Sequence, residues 1–130
     1  MRVGEMELED VEAARILGAI RVGVGAAMFL APNKVAKSWT GDDSVSLPST
    51  LALRGMAVRD MAIGIGLVKA VELGTSTRGW LEAGALSDAG DALATLMSWR
   101  ELGGARRLFW LAVEAGSAVL GMQLAEALDD

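Results

Sequence analysis

The sequence contains no cysteine and no histidine. Their absence removes disulfides, thiolate or imidazole zinc sites, a thiolate nucleophile, a histidine general base and a histidine haem ligand. No catalytic residue, metal site or resident cofactor is therefore expected. Basic runs are also lacking, and the net charge is −5, so the electrostatic footprint of a nucleic-acid binder is missing and nucleic acid is excluded as a partner. The first fifteen residues hold five acids, Glu5, Glu7, Glu9, Asp10 and Glu12, whereas a secretory or mitochondrial leader needs a positive start; no cleaved targeting segment is expected. Missing disulfides fit a reducing compartment or a membrane.

What the chain does have is apolar bulk. Its 130 residues make one domain, 1–130, and hydrophobic residues plus glycine reach about 64%, against about 45–50% in an ordinary soluble domain. Disorder is excluded. Charge is unevenly spread: Ile16 to Pro32, Leu51 to Val71, Trp80 to Trp99 and Leu108 to Ala125 together hold 76 residues but only 9 of the 29 charges. As helices these stretches reach about 26–32 Å, close to the roughly 30 Å hydrocarbon core of a bilayer.

Tryptophan supports the same reading, because its ring prefers the water–lipid interface. Trp80 and Trp99 bracket the third stretch, Trp110 lies just inside the fourth, and Trp39 follows the first. Pro32-Asn33 closes the first stretch, and a polar connection with a turn at Gly41-Asp42-Asp43-Ser44 runs from Lys34 to Thr50. Thr75, Ser76 and Thr77 are N-cap candidates for the third helix, and Gly103-Gly104 separates the third from the fourth. The pattern predicts an all-α, up-down antiparallel four-helix bundle, transmembrane, with helices at about 5–32, 49–73, 77–100 and 104–127. Rows of small residues at four-residue spacing are expected to pack helix on helix: Ala19, Gly23 and Ala27; Ala62 and Gly66; Ala112 and Gly116; Ser117 and Gly121.

Ionisable residues inside such stretches need partners, since a central charge costs about 2.5–3.5 kcal/mol on an insertion scale. The expected buried polar cluster is Arg21, Arg54 and Arg59 against Asp60, Asp88, Asp91 and Glu114. Adjacent helical residues diverge by about 100°, so Arg59 and Asp60 are not expected to pair with each other. Asp88 and Asp91 share a stripe with Gly84, Ser87 and Thr95, while Gly18 and Gly25 are expected to clear space for the Arg21 guanidinium. Three cations face four carboxylates, which leaves one acid without a formal partner, Asp88 or Asp91. Asp88-Ala89-Gly90-Asp91 has the form of a divalent-cation motif but lacks the further acids such sites use, and Gly64-Ile65-Gly66 lacks the third glycine and preceding strand of a dinucleotide site.

The set Arg21, Gly25 and Pro32, then Arg54-Gly55 and Arg59-Asp60 followed by Gly64, then Asp88 and Asp91-Ala92, resembles the small four-helix membrane proteins of unknown function grouped loosely with DoxX-like proteins. The likeness runs from about Ala14 to Leu124, and its most specific part is Arg-Asp-x-x-x-Gly in the second helix with Asp-x-x-Asp in the third. The resemblance implies a four-helix integral membrane protein. Its DoxX branch is associated with quinone-linked redox or oxidative-stress assemblies, but this chain has no thiol to contribute.

The expected function is that of a multi-pass protein of the cell membrane. Its Arg/Asp cluster would hold a small ligand non-covalently, a quinone or lipid headgroup, or the chain would serve as an accessory subunit of a larger membrane complex or as a homo-oligomer. Two alternatives belong to other classes: an oligomeric proton, ion or solute transporter, and a soluble bundle with an apolar pocket or dimer face. Lys and Arg flank the two membrane sides four against five, so charge gives no orientation.

Overall fold

The computed structural model describes residues 3–128, and every regular element among them is helical. Helix α1 spans Val3–Leu30, α2 Pro32–Thr40, α3 Leu47–Leu73, α4 Arg78–Met97 and α5 Arg106–Ala127.

The first break follows from proline chemistry. Pro32 excludes the helical conformation at the preceding residue, and Ala31 sits at φ −133°, ψ 61°. Pro32 then opens α2, where its fixed φ and missing N–H cost nothing. The polar connection expected from Lys34 to Thr50 therefore holds a helix in its first part: proline both ends one helix and starts another, giving five helices rather than the expected four. Gly41 stops α2 at φ 85°, its N–H donating to the Lys37 carbonyl, a left-handed cap that a side chain would strain. Ser46 caps α3 by accepting from the Ser49 N–H at 3.3 Å. Thr77 holds the position before α4 but makes no side-chain cap bond, and Thr75 instead turns its hydroxyl to the Ala70 carbonyl.

The long helices pair α1 with α3 and α4 with α5, and the pairs join through α3–α4 and α1–α5 contacts. Gly18 lies against Gly64 and Val68 while Gly25 lies against Ala57 and Met61, so α1 and α3 run antiparallel. Here glycine is required: a Cβ on Gly64 would stand 2.5 Å from the Gly18 carbonyl oxygen, and one on Gly25 2.7 Å from that of Ala57. Gly18 and Gly25 clear room for Val68, Met61 and the α3 backbone and not, as the sequence suggested, for Arg21, whose Cβ comes close to Gly64 instead. Two of the small-residue rows also differ from expectation. Ala19, Gly23 and Ala27 all face outward, as do Ala112 and Gly116, and a Cβ at Gly23 or Gly116 would meet nothing within 4 Å. Gly66 and Gly121 are packed, against the Trp80 ring and against Ala85.

Along the axis the interior has three layers. Ala14, Leu17, Leu67, Leu81 and Leu124 form an apolar cluster at one end, and Met28, Ala36, Leu53 and Ala57 form another beneath α2. Between them lie the buried polar side chains Arg21, Asp60, Asp88, Thr95 and Glu114. Outside, the pattern inverts: Leu30, Leu86, Met97 and Leu73 are 79%, 76%, 78% and 74% exposed.

Candidate functional site

The middle layer is a chain of ion pairs. Arg59, half-buried on α3, forks onto Asp91 of α4 with Nη2–Oδ2 at 2.8 Å and Nη1–Oδ1 at 3.3 Å, and its Nε and Nη2 also donate to Asp60 Oδ1 at 3.3 and 3.2 Å. Asp60 reaches on to Arg21 of α1 with Nη1–Oδ1 at 3.7 Å, and Arg21 Nη2 donates to Asp88 of α4. Asp91, Arg59, Asp60, Arg21 and Asp88 thus tie three helices together in one run. The Arg59–Asp60 contact corrects the helical-face reading. The guanidinium sits far enough from its backbone to swing back over the neighbouring residue.

Space for Arg21 comes from across the bundle. A Cβ on Gly84 of α4 would lie 2.8 Å from Arg21 Nη2, so the glycine in the Asp88 stripe admits the guanidinium to the axis. Arg54 does not join the cluster. It is exposed, donates from Nε to the Phe29 carbonyl at 3.1 Å, and stands 5.6 Å from the Phe29 ring centroid. Facing the last turn of α1, it satisfies the end of that helix instead.

Removing Arg54 changes the charge balance to two cations and four carboxylates. The acid without a cation is Glu114, not Asp88 or Asp91, each of which holds an arginine. Glu114 on α5 is buried, and the Thr95 hydroxyl donates to it, with Oγ1–Oε2 at 2.8 Å and Oγ1–Oε1 at 3.2 Å. Among the described residues no group of three or more His, Cys, Asp or Glu is placed to hold a metal ion.

Thr95 also faces a cavity that the sequence did not announce. It measures about 670 Å³ and lies between α2, the first turns of α3, the last turns of α4 and the loops that follow α2 and α4. Leu53, Met56 and Ala94 line its apolar wall, Trp39 closes one side, and Asp42 and Glu101 stand among its rim residues with several hydroxyls. None of Arg21, Arg59, Asp60, Asp88 or Asp91 lines it. The run of hydroxyls from Thr40 to Thr50 was the signal available in the sequence; the extra helix that folds it over the bundle end was not.

The tryptophans divide between the ends of the helices. Trp39 on α2 and Trp110 on α5 stack with centroids 5.9 Å apart, and Trp110 Nε1 donates to the Ser38 carbonyl at 3.0 Å. Trp99, in the turn after α4, lies under the Arg107 guanidinium at 4.5 Å, while Trp80 opens the other end of α4. No family model, curated protein or solved structure matches the chain.

Proposed function

We propose that the chain is a multi-pass protein of the cell membrane, an up-and-down bundle of its four long helices, that holds a small amphiphilic ligand without covalent chemistry. The observation that carries the membrane part is the inversion of polarity: Arg21, Asp60, Asp88 and Glu114 are buried while Leu30, Leu73, Leu86 and Met97 face outward. Water would penalise that surface, whereas lipid accepts it and demands inward charges. By length and composition two helices are apolar enough to cross a membrane, Gly4–Leu30 and Arg106–Ala127. The charges that set α3 and α4 apart from these include Arg59, Asp60, Asp88 and Asp91, and the ion-pair chain turns those four toward neighbouring helices. The DoxX-like motifs point the same way.

The ligand part moves from the arginines to the cavity. Arg21 and Arg59 aim their donors at aspartates, so a quinone or headgroup there would have to break existing ion pairs, while the cavity beside them is open. Expression followed by alkaline carbonate extraction tests the membrane reading. Retention in the pellet is the expected result. Release into the supernatant without detergent would overturn it and leave a soluble bundle.

An accessory-subunit or homo-oligomer role is a second reading, favoured by the outward rows Ala19, Gly23, Ala27 and Ala112, Gly116, where a neighbouring helix could approach closely. Gly23→Leu and Gly116→Leu should then shrink the detergent-solubilised assembly on size exclusion, and an unchanged assembly would remove this reading.

A further inference from the structure

We infer that the cavity at the α2 end is a binding site for a lipophilic organic cation. This rests on the reading that the chain holds a small ligand there, and it names the ligand's class. Four observations converge. The volume of about 670 Å³ lies within the roughly 300–1,000 Å³ range of small-molecule sites. Its wall is apolar at Leu53, Met56 and Ala94, so it takes a hydrocarbon or aryl body. Among the described residues its two charged lining residues, Asp42 and Glu101, are both acids, and no Lys or Arg lines it. Trp39 supplies an aromatic surface, backed by Trp110, of the kind that attracts a cation.

The inner end does not reverse that sign. Thr95, only 1% exposed at the inner end, spends its hydroxyl proton on Glu114 and so has none to offer a ligand. A carbonyl ligand such as a quinone needs a donor at that point and finds none in Thr95. Behind Thr95 the polar layer sets two arginines against four carboxyl groups, so it adds no excess positive charge next to the cavity. Anions meet acids at the rim and no excess of cations behind the wall. Two bases approach from outside the lining: Arg106 lies against Gly41, where a Cβ would strike its guanidinium, and Arg107 donates to the Leu102 carbonyl at 3.3 Å.

The test uses a pair of probes of one shape and opposite charge, tetraphenylphosphonium and tetraphenylborate. Each is dialysed to equilibrium against the purified full chain, in detergent or in buffer according to the outcome of the carbonate extraction. The expected result is saturable binding of the phosphonium and none of the borate. The double variant Asp42→Asn, Glu101→Gln should weaken phosphonium binding about tenfold or more. Ala94→Phe, which fills the cavity from α4, should abolish it, with circular dichroism and size exclusion reporting that both variants remain folded. Equal binding of the two ions, no saturable phosphonium binding, or undiminished binding in the folded double variant would each overturn the assignment. Carbonate extraction reports on the membrane without touching the cavity. Borate binding that Ala94→Phe abolishes would keep a ligand site and sink only its cationic class.

Discussion

The middle of the molecule and its α2 end use similar side chains to opposite effect. In the middle, Arg21 and Arg59 are each shared between two aspartates on different helices, and Arg21, Asp60 and Asp88 are buried. At the α2 end, Asp42, Glu101 and a set of hydroxyls surround open volume. Where the arginines are spent on aspartates and Glu114 on the Thr95 hydroxyl, the region fixes helix register and has little left to offer a ligand. Where the acids line open volume and the arginine beside them, Arg106, stays outside the lining, the region is available. Buried charge and binding capacity are therefore separate properties in this fold, although the sequence places both under one heading of polar residues in apolar helices.

That contrast can be broken most forcefully at its centre. Arg21→Leu leaves Asp60 and Asp88 buried without their shared cation, and it should cost about 3–5 kcal/mol in reversible unfolding. Cavity binding of the phosphonium by whatever fraction stays folded should persist; its loss in proportion to folded protein would show that the two regions act as one site. Gly64→Ala tests the seam on which the middle depends. The added Cβ would meet the Gly18 carbonyl at 2.5 Å, and about 1–3 kcal/mol should be lost, whereas Gly23→Ala, open on all sides, should be neutral or gain up to about 1 kcal/mol. Equal effects at the two positions, measured by thermal unfolding, would mean that α1 meets α3 through the other face.

Thr95→Val sharpens the boundary between the regions. At a residue that lines the cavity it removes the hydroxyl that donates to Glu114, and a loss toward the lower end of about 1–3 kcal/mol is expected. An unchanged melting curve would indicate that Glu114 finds another donor. Arg54→Ala should have the smallest effect, about 1 kcal/mol or less, because that side chain is exposed and makes one carbonyl bond and one ring contact. A loss as large as that of Arg21→Leu would return Arg54 to the charged layer.

Much of this arrangement was legible residue by residue. Helical spacing puts Asp88 and Asp91 on one stripe with Gly84 and Thr95, and all four serve the middle layer. Long apolar stretches and the glycine breaks place α3 and α4 to within a few residues. Arg54 was misplaced because sequence spacing says that a residue is on a helix but not how far along the axis the partner helix offers a carboxylate. Arg59–Asp60 was missed because the 100° rule describes Cβ directions and not the reach of a guanidinium. The outward rows at Gly23 and Gly116 look the same in sequence as the packed contacts at Gly18, Gly25 and Gly64, since small residues suit any close approach.

Sequence alone determined that the chain is helical, rich in apolar surface and equipped with charges in the midst of it, because the length of an apolar stretch and the residues that interrupt it are local properties. It also determined which chemistries are absent, since no fold restores a missing thiol or imidazole. Only the tertiary structure decided which arginine meets which aspartate, that Glu114 is the carboxylate left with a hydroxyl for company, and that Pro32 begins a helix as well as ending one. Those outcomes depend on the relative height and rotation of helices far apart in sequence. Interhelical packing sets both, here through backbone approach at Gly18, Gly25 and Gly64.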